Sequence, residues 1–327
     1  MKNSRLLVAC ALLATPALAL ADDSTATIEA GALNFVVNQQ VSMSEEELTL
    51  SPEHAHVRYI FTNGSNQDFE GLVAFPLPEI DVGEAGNYAI HAADPANPLA
   101  FKAASDGKPI DAKLEARSTA LGVDISALLA KNHLPPTTIF ADDVTQQKFY
   151  GALDKLPKEA LDELERHGAV AVDRDKNGEA TDVNPLWTTS IVYFWMQRFP
   201  AMKSTEITHD YQPAPRDFFA DVAELASPST AKAFCPDAAF LATARAWEKQ
   251  GGLSGKEVRF VLKTGRNWLG PIGRFRLTFD KLDAKAIVST CFKGMRKTGP
   301  TTFAASLDNF SPDDDLGFLV LSSFKSE

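Results

Sequence analysis

Residues 54–78 read HAHVRYIFTNGSNQDFEGLVAFPLP. Ala55, Val57, Tyr59 and Phe61 alternate with His54, His56 and Arg58, so an extended segment here has one apolar and one polar face. A second apolar run, 69–75, stops at Pro76-Leu77-Pro78. Between them Asn63-Gly64 and Ser65-Asn66 supply residues that tolerate positive φ, and the two runs predict a β-hairpin. The pattern continues on both sides. Residues 47–51 alternate as far as Pro52, and Asp106-Gly107 separates an extended run at 101–104 from another at 110–114. Short strands at this spacing predict an antiparallel β-sandwich.

The middle of the chain changes period. Residues 124–132 have helical spacing, stopped by Pro135-Pro136, and 146–153 form a weaker helix. Residues 157–167 are well marked, with Pro157 in the first turn, Glu159, Asp162 and Glu163 early, Arg166 and His167 late, and Gly168 as C-cap. Leu156, Ala160, Leu161 and Leu164 form its apolar stripe. Strands return at 187–199, 205–211, 257–263, 274–279, 286–292 and 316–324, with a helix at 237–250 closed by Gly251-Gly252. The expected organisation is mainly β: an antiparallel sandwich of two β-rich lobes, 22–118 and 169–327, around a helical insertion at 119–168. The second lobe carries one helix and a disulfide. No fixed-period repeat is visible.

Residues 1–21 read as a secretory leader. Lys2 and Arg5 precede the apolar run 6–14, and Ala19-Leu20-Ala21 offers a small-x-small cleavage site before Asp22-Asp23. Leu7-Val8-Ala9-Cys10 also fits a lipoprotein box, but cleavage there would discard half the apolar run. No stretch reaches the eighteen apolar residues of a membrane-spanning helix. The expected location is periplasmic or secreted. Taking 21 residues and two positive charges from a chain of 327 residues and net charge −11 leaves 306 residues at −13. That balance excludes a general nucleic-acid binder, which needs clustered Lys and Arg to neutralise phosphates. Leader removal also takes Cys10, leaving Cys235 and Cys291. In an oxidising compartment an even pair reads as one disulfide; two buried free thiols are the rival reading.

Five segments in order carry a resemblance: Asp22-Asp23-Ser24-Thr25-Ala26 with Gly31-Ala32-Leu33; 57–63 followed by 73–78; Tyr193-Phe194-Trp195 leading to Phe199-Pro200; 262–273, in which Thr-Gly-Arg-Asn-Trp-Leu-Gly-Pro-Ile-Gly at 264–273 is the most specific part; and Gly299-Pro300-Thr301-Thr302-Phe303. Together they resemble the exported bacterial family catalogued as domain of unknown function 4424, over nearly the whole mature chain. The resemblance implies an exported, β-rich protein with no assigned reaction. Residues 75–78 also locally resemble the vault/inter-α-trypsin β-sandwich domain.

Candidate chemistry is sparse. His54 and His56 leave one strand face as a possible metal pair, but share it with the cationic Arg58 and read as solvent-facing. Asp173, Asp175 and Asn177, with Gly178 at the sixth position, match the first half of a calcium loop. The twelfth position is Asn184 where a bidentate Glu belongs, so a polar turn is the plainer reading and no metal is expected. His209, followed by Asp210, is the one histidine placed to be tested as a base; a structural role is the competing expectation. The carboxylate runs Asp142-Asp143 and Asp313-Asp314-Asp315 are adjacent in loops and lack the opposed geometry of a glycosidase. Trp195, Trp268 and Arg266 are candidate ligand-groove residues, with burial in core as the alternative. No cofactor motif is present. The reading is an exported cell-envelope protein that binds or scaffolds without catalysis, its partner an envelope protein or small ligand. The competing reading is a periplasmic hydrolase of envelope polysaccharide or peptide, with His209 as base.

Overall fold

A computed structural model describes residues 23–324, apart from 30, 31, 89, 91–93, 95 and 138–142. The leader expected at 1–21, Cys10 and Asp142 lie outside the described residues. Ten strands come first: β1 (Ser24–Glu29), β2 (Ala32–Val36), β3 (Val41–Leu50), β4 (Ala55–Asn63), β5 (Phe69–Pro76), β6 (Ile80–Asp81), β7 (Lys102–Ser105), β8 (Lys108–Ile110), β9 (Lys113–Ala120) and β10 (Val123–Asp124). Helices α1 (Ser126–Lys131), α2 (Asp143–Leu153) and α3 (Lys158–Arg166) follow, then β11 (Val170–Arg174), β12 (Ala180–Pro185), β13 (Thr188–Phe199), β14 (Lys203–Tyr211) and β15 (Arg216–Ala220). After α4 (Val222–Leu225), α5 (Pro228–Phe234) and α6 (Ala238–Glu248) come β16 (Gly252–Phe260), β17 (Ile272–Asp280), β18 (Ile287–Thr290), β19 (Arg296–Lys297), β20 (Thr302–Phe310) and β21 (Leu316–Phe324).

The strands make a sandwich-like fold. One large sheet runs β10-β9-β13-β5-β1-β2, with β6 also on β13; the other runs β19-β20-β17-β3-β4-β14-β7-β8. A four-stranded sheet, β15-β16-β21-β18, and the β11-β12 hairpin complete it. Pairing is antiparallel except between β17 and β3. Gly273 allows the approach of β17, since a Cβ there would stand 2.6 Å from the Ser44 carbonyl oxygen. Strands from 22–118 and 169–327 share both large sheets: β3 and β4 lie between β17 and β14, and β5 lies between β1 and β13. Such pairings depend on strand order, which local alternation does not encode.

The hairpin expected around Asn63-Gly64 does not form. β4 pairs with β3 and β14, while β5 pairs with β1 and β13, so residues 64–68 arch from one large sheet to the other. Asn63 is buried and fastens this arch. Its Nδ2 donates to the carbonyls of Gln67 (2.8 Å) and Phe199 (2.9 Å), and its Oδ1 accepts from Ser65 N (3.0 Å). The side chain is spent on bracing, and five linking residues are too many for a two-residue hairpin turn. The second expected hairpin does form, as β7–β8 with Ser105 opposite Lys108. Asp106 and Gly107 take φ of 48° and 74°, the double positive φ of a type I′ turn.

Alternation fills the space between the large sheets. Val57, Tyr59 and Phe61 of β4 and Ile207, His209 and Tyr211 of β14 meet Val73 and Phe75 of β5 and Tyr193, Trp195 and Phe199 of β13, all buried. Phe149, Leu161 and Leu164 of the helical segment join this core. The four-stranded sheet covers it through Phe318, stacked on Phe279 at 3.9 Å between centroids. The opposite face of that sheet bears α4–α6, packed with Leu225, Phe234, Phe240, Leu253, Leu319 and Leu321. Where one helix is expected in 169–327, the structure adds the short α4 and α5. They depend on caps rather than periodicity: Asp221 accepts from Glu224 N, Ser227 accepts from Thr230 N, and Pro228 opens α5. Cys235, which ends α5, and Cys291 lie as a disulfide-compatible pair with Cα atoms 4.9 Å apart. Among the described residues no helix is long and apolar enough to cross a membrane.

Candidate functional site

His209 falls on the inward parity of β14, with Thr205, Ile207 and Tyr211. Its ring is fully buried and meets Phe75 (4.6 Å between centroids), Phe101 (5.1 Å), Trp195 (5.4 Å) and Tyr59 (5.5 Å). Burial pushes its pKa down to about 3, with a smaller contribution from His56, so the ring is neutral at pH 7. Nε2 stands 3.6 Å from Oδ1 of Asp23, which is itself sealed from solvent. A histidine beside a carboxylate has the composition of a base and its orienting group. Here, however, the aromatic shell excludes the substrate whose proton would be taken.

Trp195 packs on His209 from the side of the surface. Its indole Nε1 donates to Gln197 Oε1 (3.3 Å), and Gln197 Nε2 donates to Ser105 Oγ (3.1 Å) and to the Arg198 carbonyl (2.9 Å). Outside lies a groove of about 460 Å³. Trp195, Met196 and Gln197 form one wall, and the β7–β8 hairpin with Asp111 forms the other. The chain builds this opening as it crosses between sheets: β8 ends one, and β9 begins the other at Lys113, opposite Phe194. The rim mixes Lys108 with Asp106 and Asp111. His209 is not among the residues that line the groove.

The remaining expected site residues are dispersed. Trp268 is buried against Phe61 (4.3 Å) and Phe199 (5.7 Å), and its Nε1 donates to the Asp23 carbonyl. Arg266 lies at the surface, with Nη1 3.6 Å from Asp313 Oδ1. Neither lines the Trp195 groove, so the three aromatic and basic candidates do not form one site. Tyr193 shares the inward parity of Trp195, while Phe194 faces the other way, packed with Ala26, Leu33 and Ala74. Asp173 pairs with Asp182 in the β11–β12 hairpin. Asp175 turns inward on its own loop: Oδ1 accepts from the backbone N–H of Asn177 (2.8 Å) and Glu179 (2.9 Å), and Oδ2 accepts from Asn177 Nδ2 (3.1 Å). Those bonds, led by the one from Glu179, hold its pKa below the usual carboxylate range. His54 Nε2 and His56 Nδ1 both face outward onto Asp210 Oδ1, at 3.3 and 2.9 Å. Arg58 beside them is engaged by Glu206 (2.7 Å), Glu45 and Glu47. No group of three His, Cys, Asp or Glu is placed to hold a metal among the described residues.

Two participants escaped sequence reasoning. Asp23 reaches His209 only because β1 inserts beside β5, and its one sequence signal is its place in the first resemblance segment. Gln197, which lines the groove and holds Trp195, carries no motif.

The model of the family described as "Domain of unknown function (DUF4424)" matches residues 21–319. No curated protein matches the chain. Among solved structures, a Legionella pneumophila protein described as a candidate nutrient-binding protein is 16% identical, with TM-score 0.47, covering 92% of this chain and 70% of that one. An M1 zinc metallopeptidase from Deinococcus radiodurans is 10% identical, with TM-score 0.25, covering 88% of this chain and 43% of that one. Likenesses this distant assign no ligand and no reaction.

Proposed function

The chain belongs to the DUF4424 family, and from that premise we propose that it is an exported protein of the cell envelope, periplasmic or secreted, that recognises a partner without catalysis. Export is supported by the leader pattern at 1–21 and by the pairing of the two cysteines that remain after it. The recognition site is the groove at Trp195. One observation carries this: Trp195 presents a wall to an open groove on one side and seals His209 on the other. The titratable group best suited to chemistry is therefore inside, and what faces solvent is an aromatic wall with a rim of mixed charge, suited to binding.

The test pairs an activity assay with a footprint. A panel of envelope polysaccharides and peptides should yield no hydrolysis product, and low-mass envelope fractions should slow amide exchange in 105–111 and at Met196. Product that appears with the wild type and vanishes in a folded His209→Phe variant would establish the hydrolase reading instead.

A further inference from the structure

The end of β13 has a strand on one side only. Residues 195–199 pair with β5, from Trp195 opposite Val73 to Phe199 opposite Phe69, whereas β9 reaches only Phe194. In an antiparallel strand the N–H and C=O of one residue point to the same side, and those of the next residue to the other. The Trp187 carbonyl accepts from Val82 N and the Ile191 carbonyl from Leu77 N, both on the β5–β6 side. Odd-numbered residues of β13 therefore bond toward β5, and even-numbered ones toward β9. Past Lys113 this leaves the N–H and C=O of Met196 and Arg198 directed to a side where no strand follows among the described residues. Gln197 Nε2 occupies one of the four groups, the Arg198 carbonyl.

This open edge borders the groove. A further strand sits about 4.8 Å from its neighbour, which here falls in the space between β13 and the β7–β8 hairpin. Two donors and two acceptors, repeated every second residue, are the complement of another polypeptide backbone. A rim holding Lys108, Asp106 and Asp111 has no single-sign cluster that would select a charged small molecule. Side chains of an added strand would alternate, one set facing Trp195 and Ile110 and the other passing the exposed Met196.

We propose that the groove takes an extended peptide segment, which adds to β13 as a strand through the backbone of Met196 and Arg198. This rests on the reading of the groove as the recognition site and names its ligand class. On binding, a peptide N–H replaces the Gln197 amide on the Arg198 carbonyl, and an apolar side chain of the peptide packs against Trp195.

The experiment pans a display library of seven-residue peptides on the full folded chain, then works with the synthetic peptide it enriches. That peptide should slow hydrogen exchange at the Met196 and Arg198 amides and leave Trp195 and Gln197, already turned to β5, unchanged. Methylating alternate backbone nitrogens of the peptide should weaken binding at least tenfold. Met196→Pro should do the same with little change in Tm, because it removes an N–H the fold does not use and proline is tolerated at an open edge. Should Met196→Pro misfold, the N-methylated peptide tests the same bond with the protein untouched. Equal affinity of the methylated peptide, protection at other sites, or a library that enriches nothing would overturn the strand reading. If low-mass envelope compounds protect 105–111 and Met196 while no peptide does, the groove stands and the peptide class falls; if nothing protects them, both fall.

Discussion

Trp268 donates its indole N–H to the main-chain carbonyl of Asp23, 245 residues earlier, and both residues are buried. Next to this bond Asn267 Nδ2 donates to Ser24 Oγ (2.9 Å), and the Asn267 carbonyl accepts from Asn38 N. The turn at 263–268 thus clamps the first described strand into the core. Trp268→Phe keeps most of the apolar volume but leaves the Asp23 carbonyl without its donor. The expected cost is about 2–4 kcal/mol, from the lost buried bond and a small cavity, read as a lower urea midpoint with unchanged slope.

The same clamp bears on processing. Asp23 is completely sealed, and the expected leader ends two residues before it. Mass spectrometry of the exported protein should find Asp22 as its first residue. A form that keeps residues 1–21 carries an apolar run next to a sealed position, and should melt several degrees lower than the processed chain. Equal Tm values for the two forms would show that the clamp tolerates a preceding segment.

These long-range contacts mark where sequence reading stopped. The α3 helix was legible because Pro157, the early acids and Gly168 act within one element, and it forms at Lys158–Arg166. The β7–β8 hairpin was legible because Asp106-Gly107 alone determines its turn. Asn63-Gly64 carries the same local signal, yet Asn63 uses its amide to hold the Phe199 carbonyl, a partner 136 residues away. The inward parity of Tyr193 and Trp195 follows from alternation. That Trp195 would cover His209, and His209 meet Asp23, follows only from β5 lying between β1 and β13. Local periodicity orients side chains; strand order chooses their neighbours.

Cys235 and Cys291 close a loop of 56 residues that joins the end of α5 to the strand after β17. The exported protein should show no alkylatable thiol after denaturation. Cys235→Ser should cost about 4 kcal/mol on the chain-entropy model. Two alkylatable thiols in the non-reduced protein would mean that the pair stands reduced.

Calcium should leave the protein indifferent. Both carboxylate oxygens of Asp175 serve its own turn, and Asn184 replaces the bidentate acid at the twelfth position. Millimolar calcium should therefore shift Tm by no more than about one degree. A rise of several degrees would show that the turn rearranges to bind the ion.

His209 should leave its mark on the pH dependence of stability. Its folded-state pKa lies near 3, against 6.5 in the unfolded chain, because burial disfavours the imidazolium. Between those values the unfolded state binds the extra proton, so stability rises with pH and falls as pH drops below about 6.5. The slope approaches 1.4 kcal/mol per pH unit just below pH 6.5. Carboxylates held below their ordinary pKa, such as Asp68 and Asp175, act in the same direction but begin to contribute only near pH 4–5. Glu79, held above the ordinary carboxylate range by burial, acts in the opposite direction just above that range, so the histidine is read from the difference between wild type and variant in the interval from 6.5 to 5. His209→Phe, which puts an apolar ring in the aromatic shell, should remain folded and lose the slope in that interval. Urea denaturation at half-unit pH steps measures both. An unchanged slope in the variant would place the titration elsewhere, and a wild type of constant stability down to pH 5 would mean that the buried ring gains a proton without unfolding.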